Sequence, residues 1–234
     1  MATPTRCKME GNTMLYAITD RGLYGGDEAH TRARLVEQTA VWAANGVAFA
    51  QLREKDLAAR DQVELARAML AAIRATAGRE KSGQTRLLIN GRPDIALAAG
   101  ADGVHLPSGP NALTPAEARA IFAAGSGHTS PLCISISCHT LTEVAAARQQ
   151  TVDCILFAPV FEKIVRGDSP QTQTLPGTGL ALLQEACRAA GPVPVFALGG
   201  VTGENAAQCL QAGAAGIAAI RLMQESATSW LHLA

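Results

Sequence analysis

The sequence predicts an α/β fold, a (β/α)8 TIM barrel closed as a single domain. From Met14 onward short β-rich apolar runs alternate with Ala-rich stretches of helical period, the alternation yields eight strand candidates, and no composition break marks a linker within the 234 residues. An open doubly wound sheet also alternates in this way, but eight βα units in about 220 residues match a closed barrel better. A chain of this size buries roughly 70% of its extended surface on folding, so its core needs no staple.

The candidate strands are 15–19, 47–52, 86–90, 103–106, 132–137, 154–157, 193–198 and 216–220. Between them the helices carry readable ends. Thr114-Pro115-Ala116-Glu117 and Thr140-Leu141-Thr142-Glu143 are capping boxes, and Gly46, Gly78, Gly100, Gly125, Gly191 and Gly213 sit where helices should stop. After the second strand, Val63, Ala66, Met69, Leu70 and Ile73 form one apolar stripe with Arg67 and Arg74 off it, as in a helix packed on a sheet. Residues 1–13 read as a flexible N-terminal segment ahead of a barrel spanning 14–234. The stretch 161–176 is too long and polar for a simple βα connection and reads as a mobile active-site loop.

Hydrophobic residues at 48% and charged residues at 17% exclude disorder. Lys+Arg and Asp+Glu both number 20, so no net field recruits nucleic acid or an anionic membrane, and any phosphate must be held locally. The six cysteines, Cys7, Cys133, Cys138, Cys154, Cys187 and Cys209, stand singly without ligand spacing and read as small buried hydrophobes of a reducing compartment. No leader-like apolar segment opens the sequence, and a cytoplasmic location is expected.

In such a barrel chemistry gathers at the C-terminal strand ends. After the second strand, Gln51, Arg53 and Lys55 alternate with Leu52 and Glu54, which puts the first three on one face toward an anionic ligand. On the fifth strand, Ser135, Ser137 and His139 share a face opposite Ile134, Ile136 and Cys138. His139 can transfer a proton there, or can simply cap the next helix beside Thr140. His105, ending the fourth strand, is balanced between a chemical and a structural role; His30, His128 and His232 read as surface residues. Gly199-Gly200 after the seventh strand, Arg221 after the eighth and Gly177-Thr178-Gly179 before the sixth helix form a candidate phosphate cradle, although a Gly-Gly pair also serves as a turn. No acid stands in Asn90-Gly91-Arg92 or Leu106-Pro107-Ser108-Gly109, and Asp20 and Asp168 form no pair, so no metal ligand is expected.

At these residues the chain resembles the thiamin phosphate synthase superfamily from Tyr16 to Arg221. Gln51-Leu52-Arg53-Glu54-Lys55 looks like the segment with which the synthases hold the pyrimidine diphosphate. Ser137-Cys138-His139, Gly177-Thr178-Gly179-Leu180 and Ala197-Leu198-Gly199-Gly200-Val201 match in order. The synthases also carry Asn-Asp after strand three, Gly-Gln-x-Asp after strand four and Thr-x-Thr-Lys after strand six. Here Gly91 and the neighbourhood of Pro110 replace the two Asp positions, and 156–162 lacks the third motif, as in the thiazole tautomerase branch.

That branch implies an isomerase of thiamin biosynthesis that aromatises a carboxythiazole phosphate. His139 would be acid and base, Arg53 or Lys55 would meet the carboxylate, Asn90 and Ser137 would line the substrate, and Gly177, Thr178, Gly179, Gly199, Gly200 and Arg221 would hold the phosphate. No cofactor is then required, and the family suggests a homodimer. Gln51 and Lys55 keep the synthase spelling, and Arg221 stands where many relatives have Ser. The alternatives are a Mg2+-dependent thiamin phosphate synthase, a transferase, and a non-catalytic binder of a thiamin-related phosphate.

Overall fold

The computed structural model of the chain describes residues 13–76, 85–125, 132–166, 172–225 and 229–233. The expected flexible segment lies outside them except for residue 13, as do Cys7, Gly78, His128 and Asp168. Eight parallel strands close into a barrel: β1 (Met14–Ile18), β2 (Phe49–Leu52), β3 (Arg86–Asn90), β4 (Gly103–Leu106), β5 (Cys133–Cys138), β6 (Cys154–Phe157), β9 (Val195–Leu198) and β10 (Gly216–Ala219). Sequential strands are neighbours, β6 pairs with β9, and β10 closes on β1 with Leu15 opposite Ile217. Observed strand ends differ from the expected ones by at most two residues.

Helices α1 (Glu28–Ala44), α2 (Ala59–Ala75), α3 (Pro93–Ala99), α4 (Pro115–Ala124), α5 (Leu141–Gln149), α6 (Gly179–Ala190), α7 (Ala206–Gln211) and α8 (Arg221–Gln224) follow the barrel strands in turn. Both capping boxes form, with the Thr114 and Thr140 hydroxyls accepting from the Glu117 and Glu143 amides. Gly100 ends α3 in the left-handed region at φ 73°, as a glycine cap should, whereas Gly125 ends α4 in extended backbone at φ −84°.

One expectation fails in this region. The loop after β6 is not irregular throughout: β7 (Lys163–Arg166) and β8 (Thr172–Leu175) pair antiparallel, with Lys163 opposite Leu175. The β-branched residues of Ile164-Val165 and Thr172, Thr174 suit extended backbone, and the intervening polar residues concealed that signal.

Side chains pointing out of the barrel pack under the helices, among them Leu15, Leu52, Leu87, Ile89, Phe157 and Ile217. Those pointing in form a separate inner cluster. Its floor is aromatic: Tyr16, Phe49 and Phe196 meet with ring centroids 5.4 to 5.8 Å apart, two of the three contacts edge-on. Gly103 and Gly216 are inward positions at the strand starts. A Cβ there would stand 1.9 Å from the Cys133 carbonyl oxygen and 2.0 Å from that of Met14. Gly103→Ala and Gly216→Ala should each cost about 3 kcal/mol, the upper end for overpacking, because backbone rather than a flexible side chain must move. Urea unfolding midpoints measure this, and an unchanged midpoint refutes it.

Candidate active site

The alternation that fills the floor with rings continues upward along β2 to β5 and turns polar. Gln51, Asn90, His105, Ser135 and Ser137 occupy the same inward parity as Phe49, Leu88, Gly103 and Cys133. Gln51 is 1% exposed and its Nε2 donates to Asn90 Oδ1 at 2.9 Å. Its other amide atom, Oε1, is buried and has no donor among the described residues. An amide oxygen left so is costly, and a ligand N–H would satisfy it.

His105 lies between two serines, with Nδ1 2.8 Å from Ser135 Oγ and Nε2 2.9 Å from Ser137 Oγ. Ser135 Oγ is also 2.9 Å from the Tyr16 hydroxyl. Burial first, and the Arg53 charge second, push the imidazole down to about 3. Burial likewise raises the Tyr16 phenol well above its ordinary range. The string is therefore neutral near pH 7. Only the inward alternation on the four-residue β4 could have pointed to His105, and a lone histidine on so short a run is compatible with either role.

Arg53 and Lys55 follow the end of β2, Arg53 half-buried with its charge felt at His105, and Lys55 exposed in the turn that comes next. Glu54 and Asp56 between and after them turn to Arg21 instead: the guanidinium contacts Glu54 at 2.9 Å and Asp56 at 2.5 Å, with Glu28 at 3.1 Å. Asp56 is the main cause of the raised Arg21 pKa. With these acids occupied, neither Arg53 nor Lys55 has an ion-pair partner among the described residues. The Arg53 charge, followed by partial burial, lowers the Lys55 pKa. Two neighbouring cations without an ion-pair partner are chemically able to meet an anion. A cleft of about 450 Å3 adjoins them, walled also by Arg21 and by the acids Asp20, Asp27, Glu28, Glu54 and Asp56.

His139 stands exposed at the rim just past β5. Its Nδ1–H donates to the Ala158 carbonyl at 2.5 Å, and its backbone amide donates to Glu143. The glycine segments differ from expectation. The Thr178 and Gly179 amides donate to the Pro159 and Val160 carbonyls at 2.8 and 2.9 Å, which removes both from a phosphate cradle. The loop after β6 must fold back against the start of α6, and these bonds hold it there. A Cβ on Gly177 would meet Phe161 backbone at 2.5 Å. Gly199 and Gly200, at φ 93° and 66°, leave their amides without an acceptor among the described residues. A Cβ on Gly200 would stand 2.4 Å from the Glu162 carbonyl oxygen. Arg221 is exposed at the first position of α8.

The sequence profile described as thiamine monophosphate synthase matches residues 15–223. A Geobacter sulfurreducens protein, whose name is that of a thiamine-phosphate synthase with a provisional qualifier, is 43% identical over 209 residues, covering 88% of this chain and 84% of its own. The thiamine-phosphate synthase of Methanoculleus marisnigri is 36% identical over 206 residues, 88% of this chain and 85% of its own. Among solved structures, thiamine phosphate pyrophosphorylase from Pyrococcus furiosus superposes with TM-score 0.71 at 25% identity, covering 94% of this chain and 93% of that one. These relatives overturn the expectation of a thiazole tautomerase: over most of its length the chain is similar to proteins named for the synthase reaction.

His105 carries a pH signature. Its folded pKa of about 3 lies below the ordinary 6.5, so the unfolded chain takes up the proton first. Stability should be flat above pH 6.5 and fall as the pH drops toward 3, by about 2 kcal/mol between pH 7 and pH 5. Denaturant unfolding at these two values should record the loss, and His105→Gln should flatten it; equal slopes in both proteins contradict the assignment.

Proposed function

Because the chain belongs to the thiamine monophosphate synthase family, we propose that it is a transferase of thiamin biosynthesis, joining a pyrimidine carried as its diphosphate to a thiazole phosphate. In the reaction the bond from the pyrimidine carbon to the diphosphate oxygen breaks, a bond to the thiazole forms, and pyrophosphate leaves. The observation that carries this reading beyond the family is the buried, donorless Gln51 Oε1 beside the unpaired cations Arg53 and Lys55. A heteroaromatic amino group meets the first while a diphosphate meets the second.

Mg2+ accompanies the synthase resemblance, and the residues here do not fit it. Among the described residues no three Asp, Glu, His or Cys side chains stand together so that they could hold a metal ion. Gly91 after β3 and Pro110 after β4 stand where acids would be needed, while Glu54 and Asp56 are bound to Arg21. Neutralising the leaving diphosphate falls to Arg53 and Lys55, whose charges gain strength as that negative charge separates. The Gly199 and Gly200 amides suit the single phosphate of the second substrate, and Ser137, bonded to His105, supplies a partly exposed hydroxyl. The thiols of Cys133, Cys138, Cys187 and Cys209 suit a reducing cytoplasm.

Incubation with both substrates should release pyrophosphate. Arg53→Ala should lower kcat/KM by about 100-fold, as loss of a transition-state clamp does, and Lys55→Ala by less because Lys55 is exposed to solvent where Arg53 is half-buried. Absence of pyrophosphate release from the unmodified chain overturns the reading, and retention of the pyrimidine diphosphate without turnover favours a binding protein instead.

A further inference from the structure

The four-membered string from Tyr16 through Ser135 and His105 to Ser137 crosses the barrel interior, and its ends differ in kind. Tyr16 is fully buried on the aromatic floor, with Phe49 and Phe196 against its ring, and Ser135 Oγ is the hydroxyl's only hydrogen-bond partner among the described residues. Ser137, at the other end, is partly exposed in the mouth. Each middle group has one proton to give along the string. A hydroxyl carries a single hydrogen, and a neutral imidazole has one N–H and one lone pair.

The direction of every bond follows from the floor end. If Ser135 donated to Tyr16, the phenolic hydrogen would point into apolar surroundings with nothing to accept it. The low-strain alternative makes Tyr16 the donor, so that Ser135 spends its own hydrogen on His105 Nδ1. His105 must then carry its proton on Nε2 and give it to Ser137 Oγ.

We infer that Tyr16, Ser135 and His105 are positioning residues that polarise the string one way, holding His105 as the Nε2–H tautomer and leaving the Ser137 hydrogen free for an acceptor atom on a bound ligand. The low imidazole pKa agrees with this, because a doubly protonated ring could accept from neither serine. Ser137 thus presents a donor with a set orientation rather than a freely rotating hydroxyl. In its catalytic consequence the inference rests on the synthase reading, where the acceptor is an oxygen of the departing diphosphate. The tautomer itself does not.

Nitrogen-15 NMR of the histidine-labelled protein distinguishes the two tautomers directly, with no substrate present. The expected spectrum for His105 has a protonated Nε2 and an unprotonated Nδ1. Tyr16→Phe removes the phenolic donor at nearly constant volume, and Ser135→Ala cuts the string one bond later. In both, His105 should shift toward a mixture of tautomers. Tyr16→Phe should lower kcat about tenfold with KM little changed, the scale of one lost neutral hydrogen bond. A protonated Nδ1 in the unmodified protein, or an Nε2–H tautomer untouched by both substitutions, overturns the inference. Because the spectrum needs no turnover, failure of the synthase assay leaves this outcome readable, and a correct tautomer with no pyrophosphate release faults the functional reading alone.

Discussion

Closing eight parallel strands leaves no sheet edge, and it sends every second side chain into one enclosed space. That single alternation governs both the core and the site. Low in the barrel the inward residues are Tyr16, Phe49, Leu88 and Phe196, which exclude water and make the floor rigid. One step further up each strand the same parity delivers Gln51, Asn90, His105 and Ser137. Polar atoms placed above a dry floor must bond one another or wait for a ligand. His105 and the serines do the first, and Gln51 Oε1 does the second.

Charge at the mouth is organised by a residue that is not itself in it. Arg21, on the short 3-10 turn Arg21–Leu23, draws Glu54, Asp56 and Glu28 to itself. The formal balance of the chain is even, so an uncompensated positive pair can exist only if nearby acids are engaged elsewhere. Arg21 engages them. Arg53 and Lys55 therefore remain available just past β2, although the segment 51–56 read as sequence carries as many acids as bases. Gln224 adds a tie by clasping both backbone groups of Asp20, which anchors this turn to α8 across the closure of the barrel.

The error about function has a physical origin. Missing carboxylates after β3 and β4 are evidence about a metal and leave open which bond is made or broken. The tautomerase reading let that absence choose the reaction. Relatives at 36–43% identity set it aside, while the poor fit of the strand ends to Mg2+ stands as a property of this chain. The glycine segments illustrate a related ambiguity. Gly177-Thr178-Gly179 looked like an anion cradle, yet Thr178 and Gly179 spend their amides on the loop after β6. The same residues suit either purpose, and only the path of a distant carbonyl decides between them.

Period and punctuation along the chain determined the barrel and both threonine capping boxes, because these depend on neighbours within a few residues. The β7–β8 hairpin stayed hidden, since its alternation is short and broken by polar residues. Only the closed tertiary structure decided that His105 sits between Ser135 and Ser137 above Tyr16, that Arg21 takes the acids beside Arg53, and that Gln51 keeps one oxygen unpaired. Those contacts join residues 30 to 119 positions apart, and hydrogen bonds of such span exist only after the strands have been brought into register around the barrel.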